Sequence, residues 1–266
     1  MQFTKTSLRS ILLLKRLLPL LAVCWLLGSP AAQAQQNLFN IPAGDLTPAR
    51  KFFFQQQTNF YSTTSFEAKN HLVYGLGRGW EVGLNVVNIK FNLAANAGQA
   101  IYVNEGDRSQ PLQPLAQLTA QKFFFFSPRF KTSVGTQLGT NPVRLGRQDR
   151  RLTHFTYNTW VWEPRPHVKL VAGPYLTDWA SVGAGNRAGF VAGFEYPLSR
   201  RFIAMGDFVS GSHAAAVSVL GFNYLASKRV QLCLGALLPN PGTRNSPGVV
   251  FELNLLGYDD GFEAGH

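Results

Sequence analysis

The feature of this sequence that most restricts its fold is an alternation of apolar and polar side chains that recurs along nearly its whole length. In residues 79–88, for example, Trp80 and Leu84 fall on one face while Glu81 and Asn85 fall on the other. A period of two is the period of a β-strand, whose successive side chains point to opposite faces. No sustained helical period follows the N-terminal region, so the sequence predicts an all-β fold.

The alternation divides into about twelve segments, most of them nine to fourteen residues long. Strands of soluble proteins usually run for about five or six residues, whereas tilted strands that cross a membrane need about nine to eleven. Segment length therefore favours a closed antiparallel transmembrane β-barrel over a soluble β-sandwich, and closure leaves no unpaired edge in lipid. The predicted strands are 50–61, 64–75, 79–91, 113–126, 130–139, 151–162, 166–174, 187–196, 201–210, 213–225, 229–238 and 247–258.

The joins between these segments alternate in length. Joins after even-numbered segments are short, as at 76–79 and 127–129, and most joins after odd-numbered segments are longer, as at 92–112 and 239–248. Two of the odd-to-even joins are short exceptions. Short periplasmic turns and longer external loops are typical of outer membrane barrels, and a soluble sandwich has no reason to alternate in this way.

The N-terminal 34 residues have the pattern of a secretory signal peptide. A basic region is followed by the apolar stretch 17–27 and by the cleavage pattern Ala32-Gln33-Ala34. The alternative is an uncleaved membrane anchor, but about eleven apolar residues are too few to cross a bilayer. We therefore predict cleavage after Ala34 and export to the outer membrane of a Gram-negative bacterium.

The chain then divides into four parts. Residues 1–34 are the predicted signal peptide, 35–49 a periplasmic lead-in, 50–258 the barrel, and 259–266 a short acidic tail. Removal of the signal leaves one cysteine, Cys233, so the exported chain has no internal disulfide. The formal net charge is +11, but the basic residues do not form a recognisable nucleic-acid-binding motif. Together with the export signal, this predicts no nucleic-acid partner.

A run of four phenylalanines in QKFFFFSPRF, residues 121–130, fits the lipid interface of a barrel. Such barrels carry aromatic girdles at both membrane interfaces. The predicted girdle residues point toward acyl chains, and the alternate phenylalanines fill the periplasmic end of the lumen. The girdle candidates are Phe52, Phe54, Phe124 and Phe126.

The polar faces of the strands carry both signs of charge. In a barrel they line the lumen, where opposite charges either pair and close a narrow barrel or create a transverse field along a permeation path. The predicted lumen-lining residues are Glu81, Lys131, Lys169, Arg187, Glu195, Asp207 and Glu252.

A basic loop, RLGRQDRR at 144–151, faces outward in this topology. Its expected partners are the phosphates of lipopolysaccharide, reached through charge-assisted contacts, and a merely solvated loop is the open alternative. Membrane lipids surround the barrel, and the sequence indicates neither a particular solute nor an oligomeric state. The loop arginines are Arg144, Arg147, Arg150 and Arg151.

Five stretches together resemble a family of largely uncharacterised Gram-negative outer membrane β-barrels, described as transporter-like. The resemblance implies a barrel and assigns no site residues, because its motifs are turn glycines, girdle aromatics and a Pro-Asn-Pro loop. One departure is the C-terminus, where an acidic tail follows Tyr258. The stretches are NIPAGDLTPARKFFFQQQTNF at 40–60, GLGRGWEVGLNV at 75–86, GTQLGTN at 135–141, GDFVSGSHA at 206–214 and GFNYLASKRVQLCLGALLPNPGT at 221–243.

Catalytic and metal-binding patterns are weak. Twelve-stranded outer membrane phospholipases use a His-x-Ser pair, and the nearest pattern is His154-Phe155-Thr156. Ser212 and His213 are adjacent, which on a strand would place them on opposite faces. No histidine pair has metal-ligand spacing. We predict no catalytic, cofactor or metal site.

The leading functional hypothesis is passive passage or binding of small solutes through a polar lumen. The alternative is a structural or surface-interaction barrel with a plugged lumen, which would act through its loops. A lipid-modifying enzyme is the third hypothesis.

Overall fold

The computed structural model describes residues 38–94, 100–103, 110–143 and 151–259. Within those ranges no helix is long and apolar enough to span a membrane. The described elements are thirteen strands and one short helix: β1 Phe52–Phe60, β2 Ser65–Gly77, β3 Trp80–Asn92, β4 Ile101–Tyr102, β5 Leu115–Ser127, β6 Phe130–Thr140, β7 Thr153–Arg165, β8 Val168–Thr177, α1 Trp179–Val182, β9 Ala188–Pro197, β10 Phe202–Val209, β11 Val217–Ser227, β12 Val230–Pro239 and β13 Gly248–Leu256.

Twelve of the described strands form one closed antiparallel barrel. Each pairs with its neighbours in the chain, and β1 closes the ring by pairing with both β2 and β13. The two-residue strand β4 extends the sheet beside β3 only. The predicted twelve-stranded barrel is confirmed, although β11 begins at Val217 because residues 210–216 form a loop.

The two ends of the barrel differ in their connections. At one end, which we call the short-turn end, strands are joined by tight turns such as those at Arg78 and His167. Both residues have positive φ, 53° and 63°, as the tight turns that match strand twist require. The opposite, long-loop end carries most of the longer joins, including 178–187 and 240–247.

The outer face of the barrel is a broad apolar surface. Leu84, Leu118 and Leu220 are 54%, 66% and 58% exposed at mid-barrel. Large apolar side chains so exposed on all sides of a closed sheet are typical of a lipid-facing band. Polar groups on this face are bonded locally, as where Asn158 Nδ2 donates to Thr132 Oγ1 (2.9 Å) and to the carbonyl of Ser133 (2.8 Å).

Aromatic side chains gather on the outer face near the short-turn end. Phe52, Phe124 and Phe126 are exposed, and Phe54 is half-buried on the same face. Lys122 points outward among them, with its Nζ 5.4 Å from the ring centroid of Trp80. A lysine stem among aromatic rings fits the boundary between acyl chains and water.

The prediction that the alternate phenylalanines Phe123 and Phe125 both fill the lumen is correct for Phe123 and wrong for Phe125. Phe123 is 2% exposed inside the barrel, whereas Phe125 is 62% exposed. The register of β5 and β6 shifts between Phe125 and Ser127. β5 therefore extends beyond the side chains that fill the lumen, and Phe125 lies at the rim of the barrel.

Residues 38–47, which we call the luminal segment, lie inside the barrel. The sequence predicted a periplasmic lead-in over 35–49, but the described part of it enters the barrel through the short-turn end. Ala49 bridges Gly75 there, and Arg50 N–H donates to the Gly75 carbonyl at 2.7 Å. The segment enters because its apolar side chains meet an apolar wall.

That wall is formed by the inward side chains of β7 to β13. Leu38, Phe39 and Ile41 are at most 2% exposed and pack into one cluster with it. Gly193 and Gly235 leave the necessary space, since a Cβ on either would lie 2.3 Å from Leu38 Cδ1 or 2.8 Å from Phe39 Cζ. We call this side of the lumen the packed half.

Candidate functional site

Six of the seven predicted lumen-lining residues lie inside the barrel. Five are at most 6% exposed: Glu81, Lys169, Glu195, Asp207 and Glu252. Lys131 is half-buried beside them. Arg187 is the exception, because β9 begins only at Ala188 and Arg187 is exposed in the loop before it, beyond the lumen.

An ion-pair cluster fixes the luminal segment near the short-turn end. Asp45, carried by the segment, contacts Lys131 at 3.6 Å and also pairs with Lys169. Lys131 lies 2.9 Å from Glu163, and Lys169 lies 3.5 Å from Glu195. Buried charges need such partners. Most of the predicted luminal charges therefore bind the luminal segment to the barrel wall.

Two further carboxylates bind the backbone of the segment. Asp207 accepts the N–H of Asn40 and, at 3.2 Å, the N–H of Ile41. Glu81 accepts the N–H of Thr47 at 3.0 Å. An irregular segment inside a barrel has backbone donors without a ladder partner, and these acidic side chains supply acceptors. No periodic pattern in the sequence marks Asn40, Asp45 or Thr47 as luminal residues.

A cavity of about 400 Å³ remains on the other side of the luminal segment. It lies mainly against the inner faces of β1, β2, β3 and β5, and its lining extends from Val73 and Glu81 to Arg244 in the long loops. Near the long loops it also contacts Val209, Val217 and Leu237 of the packed half. We call this side the amide half, because its lining is rich in side-chain amides: Gln55, Gln57, Asn59, Asn85, Gln117, Gln121, Gln137 and Asn245.

Aromatic and charged groups complete the lining. The aromatic side chains are Phe39, Tyr61, Phe66, Phe155 and Tyr157. Tyr157 donates its hydroxyl to Gln121 Oε1 at 2.8 Å. Lys69 lies 3.9 Å from Glu67 and donates to Asn40 Oδ1 at 3.2 Å. The cavity therefore combines neutral amides and aromatic faces with charged side chains, which are Glu67, Lys69, Glu81, Lys90 and Arg244.

The long-loop end carries a buried histidine. His213 Nε2 lies 2.7 Å from the hydroxyl of Tyr175, which also donates to the carbonyl of Ser210 at 2.6 Å. Burial lowers the pKa of His213 to about 4, so the imidazole is neutral at pH 7. Asn245 donates to the His213 carbonyl at 3.4 Å, which connects this loop with the next one.

The candidate catalytic patterns do not assemble. Ser212 Oγ donates to Asn186 Oδ1 at 2.9 Å instead of approaching the imidazole of His213. Thr156 bonds Thr136 across the outer face at 2.9 Å, away from the lumen. Among the residues that the structure describes, no group of three or more His, Cys, Asp or Glu side chains is placed to hold a metal ion.

Several predictions fall outside the described residues. They include the signal peptide, the acidic tail after 259 and the loop arginines 144, 147 and 150. Arg151 is described, and its guanidinium lies 4.5 Å from the ring centroid of Trp179. That stacking occupies one face of the cation but tests no contact with lipopolysaccharide.

Two outer membrane barrels are among the solved structures to which this chain is similar. An outer membrane channel from Pseudomonas putida F1 aligns with a TM-score of 0.48 and 12% identity, over 82% of this chain and 99% of that chain. Outer membrane phospholipase A from Escherichia coli, in an active-site mutant form, aligns with a TM-score of 0.43 and 14% identity, over 86% and 96%. Similarity at this level transfers no activity to this chain.

No protein family model matches the sequence. No curated protein matches it either. The resemblance to the transporter-like barrels therefore stays a prediction.

Proposed function

We propose that this chain is exported, cleaved after Ala34 and inserted into the outer membrane of a Gram-negative bacterium. Support comes from the closed antiparallel barrel and from the half-exposed leucines and phenylalanines on its outer face. Such a surface is unfavourable in water and favourable in lipid. The aromatic residues near the short-turn end fit a membrane interface.

We propose further that the protein allows passive passage or binding of small polar solutes through its lumen. The observation that carries this proposal is the cavity of about 400 Å³, lined from the level of Glu81 to the long loops. Its volume lies in the range of small-molecule sites. Its amide lining remains hydrated or binds polar groups, and no catalytic step is part of the proposal.

A barrel that acts through its loops is the second candidate function. It is favoured by the luminal segment, which fills the packed half and is fixed by Asp45, Asp207 and Glu81. In that case the filled lumen serves rigidity, and the loops contact other surfaces, including lipopolysaccharide phosphates. Conductance distinguishes the two candidates directly.

The test is single-channel recording of the purified full-length protein in planar bilayers. We expect small, defined conductance steps that a heat-denatured sample lacks. Lys90→Glu reverses a charge in the cavity lining and should move the reversal potential toward cation selectivity. Lys228→Glu, at an exposed turn outside the lumen, is the matched control and should leave it unchanged. Absence of conductance in the folded protein would favour the second candidate.

A further inference from the structure

One row of luminal side chains crosses four neighbouring strands at a single level of the amide half. Gln55 lies opposite His71, His71 opposite Asn85, and Asn85 opposite Gln117 in the strand registers. All four line the cavity. Directly opposed residues of antiparallel strands have Cβ atoms about 4.5–5.5 Å apart, so the four form a continuous polar belt.

A glycine ends the belt. Gln117 lies opposite Gly139 on β6. A Cβ on Gly139 would lie 2.7 Å from Gln117 Cγ and 2.1 Å from the Ala116 carbonyl oxygen. The absence of a side chain at this position therefore makes the space that the Gln117 side chain occupies.

One amide of the belt has an oxygen atom without a hydrogen-bond partner. Gln117 is 5% exposed, and its Oε1 has no partner among the described protein groups, whereas Asn85, 2% exposed, hydrogen-bonds the opposed His71 side chain. Buried polar atoms are nearly always bonded to protein or water. By contrast Gln55, in the same belt, donates to Glu252 Oε2 at 3.1 Å. Gln117 thus has hydrogen-bonding capacity that the fold does not use, and Asn85 lies directly opposite it at the same level.

We propose that the belt, with the aromatic faces of the cavity, binds neutral hydroxyl-rich solutes such as polyols and small sugars. This rests on the proposed function and names its substrate class. Each amide both donates and accepts hydrogen bonds, as each hydroxyl does, so the two groups match. Phe155 and Tyr157 supply apolar faces for the C–H surface of such a solute.

The charge arrangement disfavours ionic solutes at this level. Lys69 already lies near Glu67 and Asn40, and Glu81 accepts a backbone N–H of the segment. Lys90, opposite Glu67, and Arg244 lie nearer the long-loop end of the lining, so an ion at the level of the belt would lose hydration among amides and an imidazole, which is costly. A neutral polyol loses only hydrogen bonds that the amides replace.

The test is solute-induced swelling of proteoliposomes that contain the full-length protein, with xylitol and the zwitterion glycine betaine as probes. Wild type should admit xylitol faster than betaine. Asn85→Leu with Gln117→Met keeps side-chain size but removes the amides, and should lower the xylitol rate about fivefold or more. Betaine entry should change less than twofold.

The matched control is Asn223→Leu, which removes an equally buried luminal amide, 1% exposed, on β11 and outside the cavity lining. It should leave the xylitol rate unchanged. The proposal that the belt selects hydroxyl-rich solutes would be wrong if wild type admitted both probes at similar rates, or if the double variant kept the preference for xylitol. Either outcome would leave the proposed passage through the lumen standing.

A second measurement distinguishes solute binding at the polar belt from solute passage through the lumen. If neither probe enters the wild-type vesicles, passage is wrong, and saturation-transfer NMR with xylitol on the detergent-solubilised protein decides about the belt. Xylitol signals with wild type that the double variant lacks support the belt as a binding site in a closed lumen. No xylitol signal with wild type overturns it.

Discussion

The packed half and the amide half of the lumen belong to one barrel but are filled in different ways. Inward positions of β7 to β13 include Val161, Met205 and Val219, and the chain covers them with its own luminal segment. Inward positions of β1, β2, β3 and β5 are mainly amides and charges, and they face a cavity. The chemistry of each wall therefore determines whether chain or solvent occupies the space beside it.

The physical reason is the cost of mismatched contacts. An apolar luminal wall in contact with water loses the free energy that its burial would give, so a segment carrying Leu38, Phe39 and Ile41 is stabilised there. Amides covered by apolar side chains would lose hydrogen bonds to water. A single sheet can therefore enclose a lumen whose packed half is filled by apolar side chains while its amide half stays polar.

The largest expected effect concerns the ion pairs of the luminal segment. Lys169→Met leaves the buried Glu195 without its ion-pair partner and Asp45 with only Lys131, and should destabilise the protein by about 3–5 kcal/mol. Lys90→Met in the amide half is the matched control, and loss of a partly exposed lysine should cost below about 1 kcal/mol. Heat-modifiable gel migration measures both. Equal losses would contradict the difference between the halves.

A reciprocal exchange of residues sharpens the comparison. Met205→Gln places an amide in the packed half, where Met205 is fully buried, and should cost about 1–3 kcal/mol. Gln137→Met places a thioether in the amide half and should cost less than about 1 kcal/mol. Thermal unfolding followed by circular dichroism gives both values, and a costlier Gln137→Met would reverse our assignment of the halves.

A comparable effect is expected where the luminal segment meets β7. Gly44 has φ of +87°, and a Cβ there would lie 2.4 Å from Val161 Cγ2. Gly44→Ala should therefore destabilise the protein by about 1–3 kcal/mol through crowding and backbone strain. Gly242 has φ of +80° and nothing within 4 Å, so Gly242→Ala isolates the strain alone. Equal midpoints of thermal unfolding for the two variants would show that the segment does not press on Val161.

A pH dependence is expected at the long-loop end. Burial lowers the pKa of His213 to about 4, below its unfolded value of about 6.5. Between these values the unfolded chain binds a proton that the folded chain does not, so stability falls as the pH drops from about 6.5 to about 4. His213→Gln should flatten this part of the pH profile of the thermal unfolding midpoint. An unchanged slope would assign the dependence to other groups.

The barrel could be predicted from the sequence because each strand repeats the same two-residue rule. Leu84, Phe190 and Phe251 face outward as the alternation indicates, and Glu81, Glu195 and Glu252 face inward. Alternation also gave the number of strands. The alternation failed at Arg187 and Phe125. Both occupy inward positions of the two-residue pattern, but they lie beyond the end of the lumen.

The filling of the lumen could not be predicted in the same way. Residues 38–47 contain no repeat, and their positions are determined by distant groups such as Asp207, 166 residues from Ile41. Alternation says which side chains point inward but not what they meet there. The cavity and the polar belt depend on which half the segment occupies, so they became visible only with the fold.

The seam between β1 and β13 has a consequence for biogenesis. The ring cannot close until Gly248–Leu256, the final strand, pairs with Phe52–Phe60. Residues 38–47 precede every described strand, yet Leu38, Phe39 and Ile41 belong to the same buried cluster as Val250 on that final strand. On the proposed export route their apolar side chains stay uncovered until the last strand pairs, so a chain truncated before residue 248 should depend most strongly on periplasmic chaperones and be most sensitive to proteases.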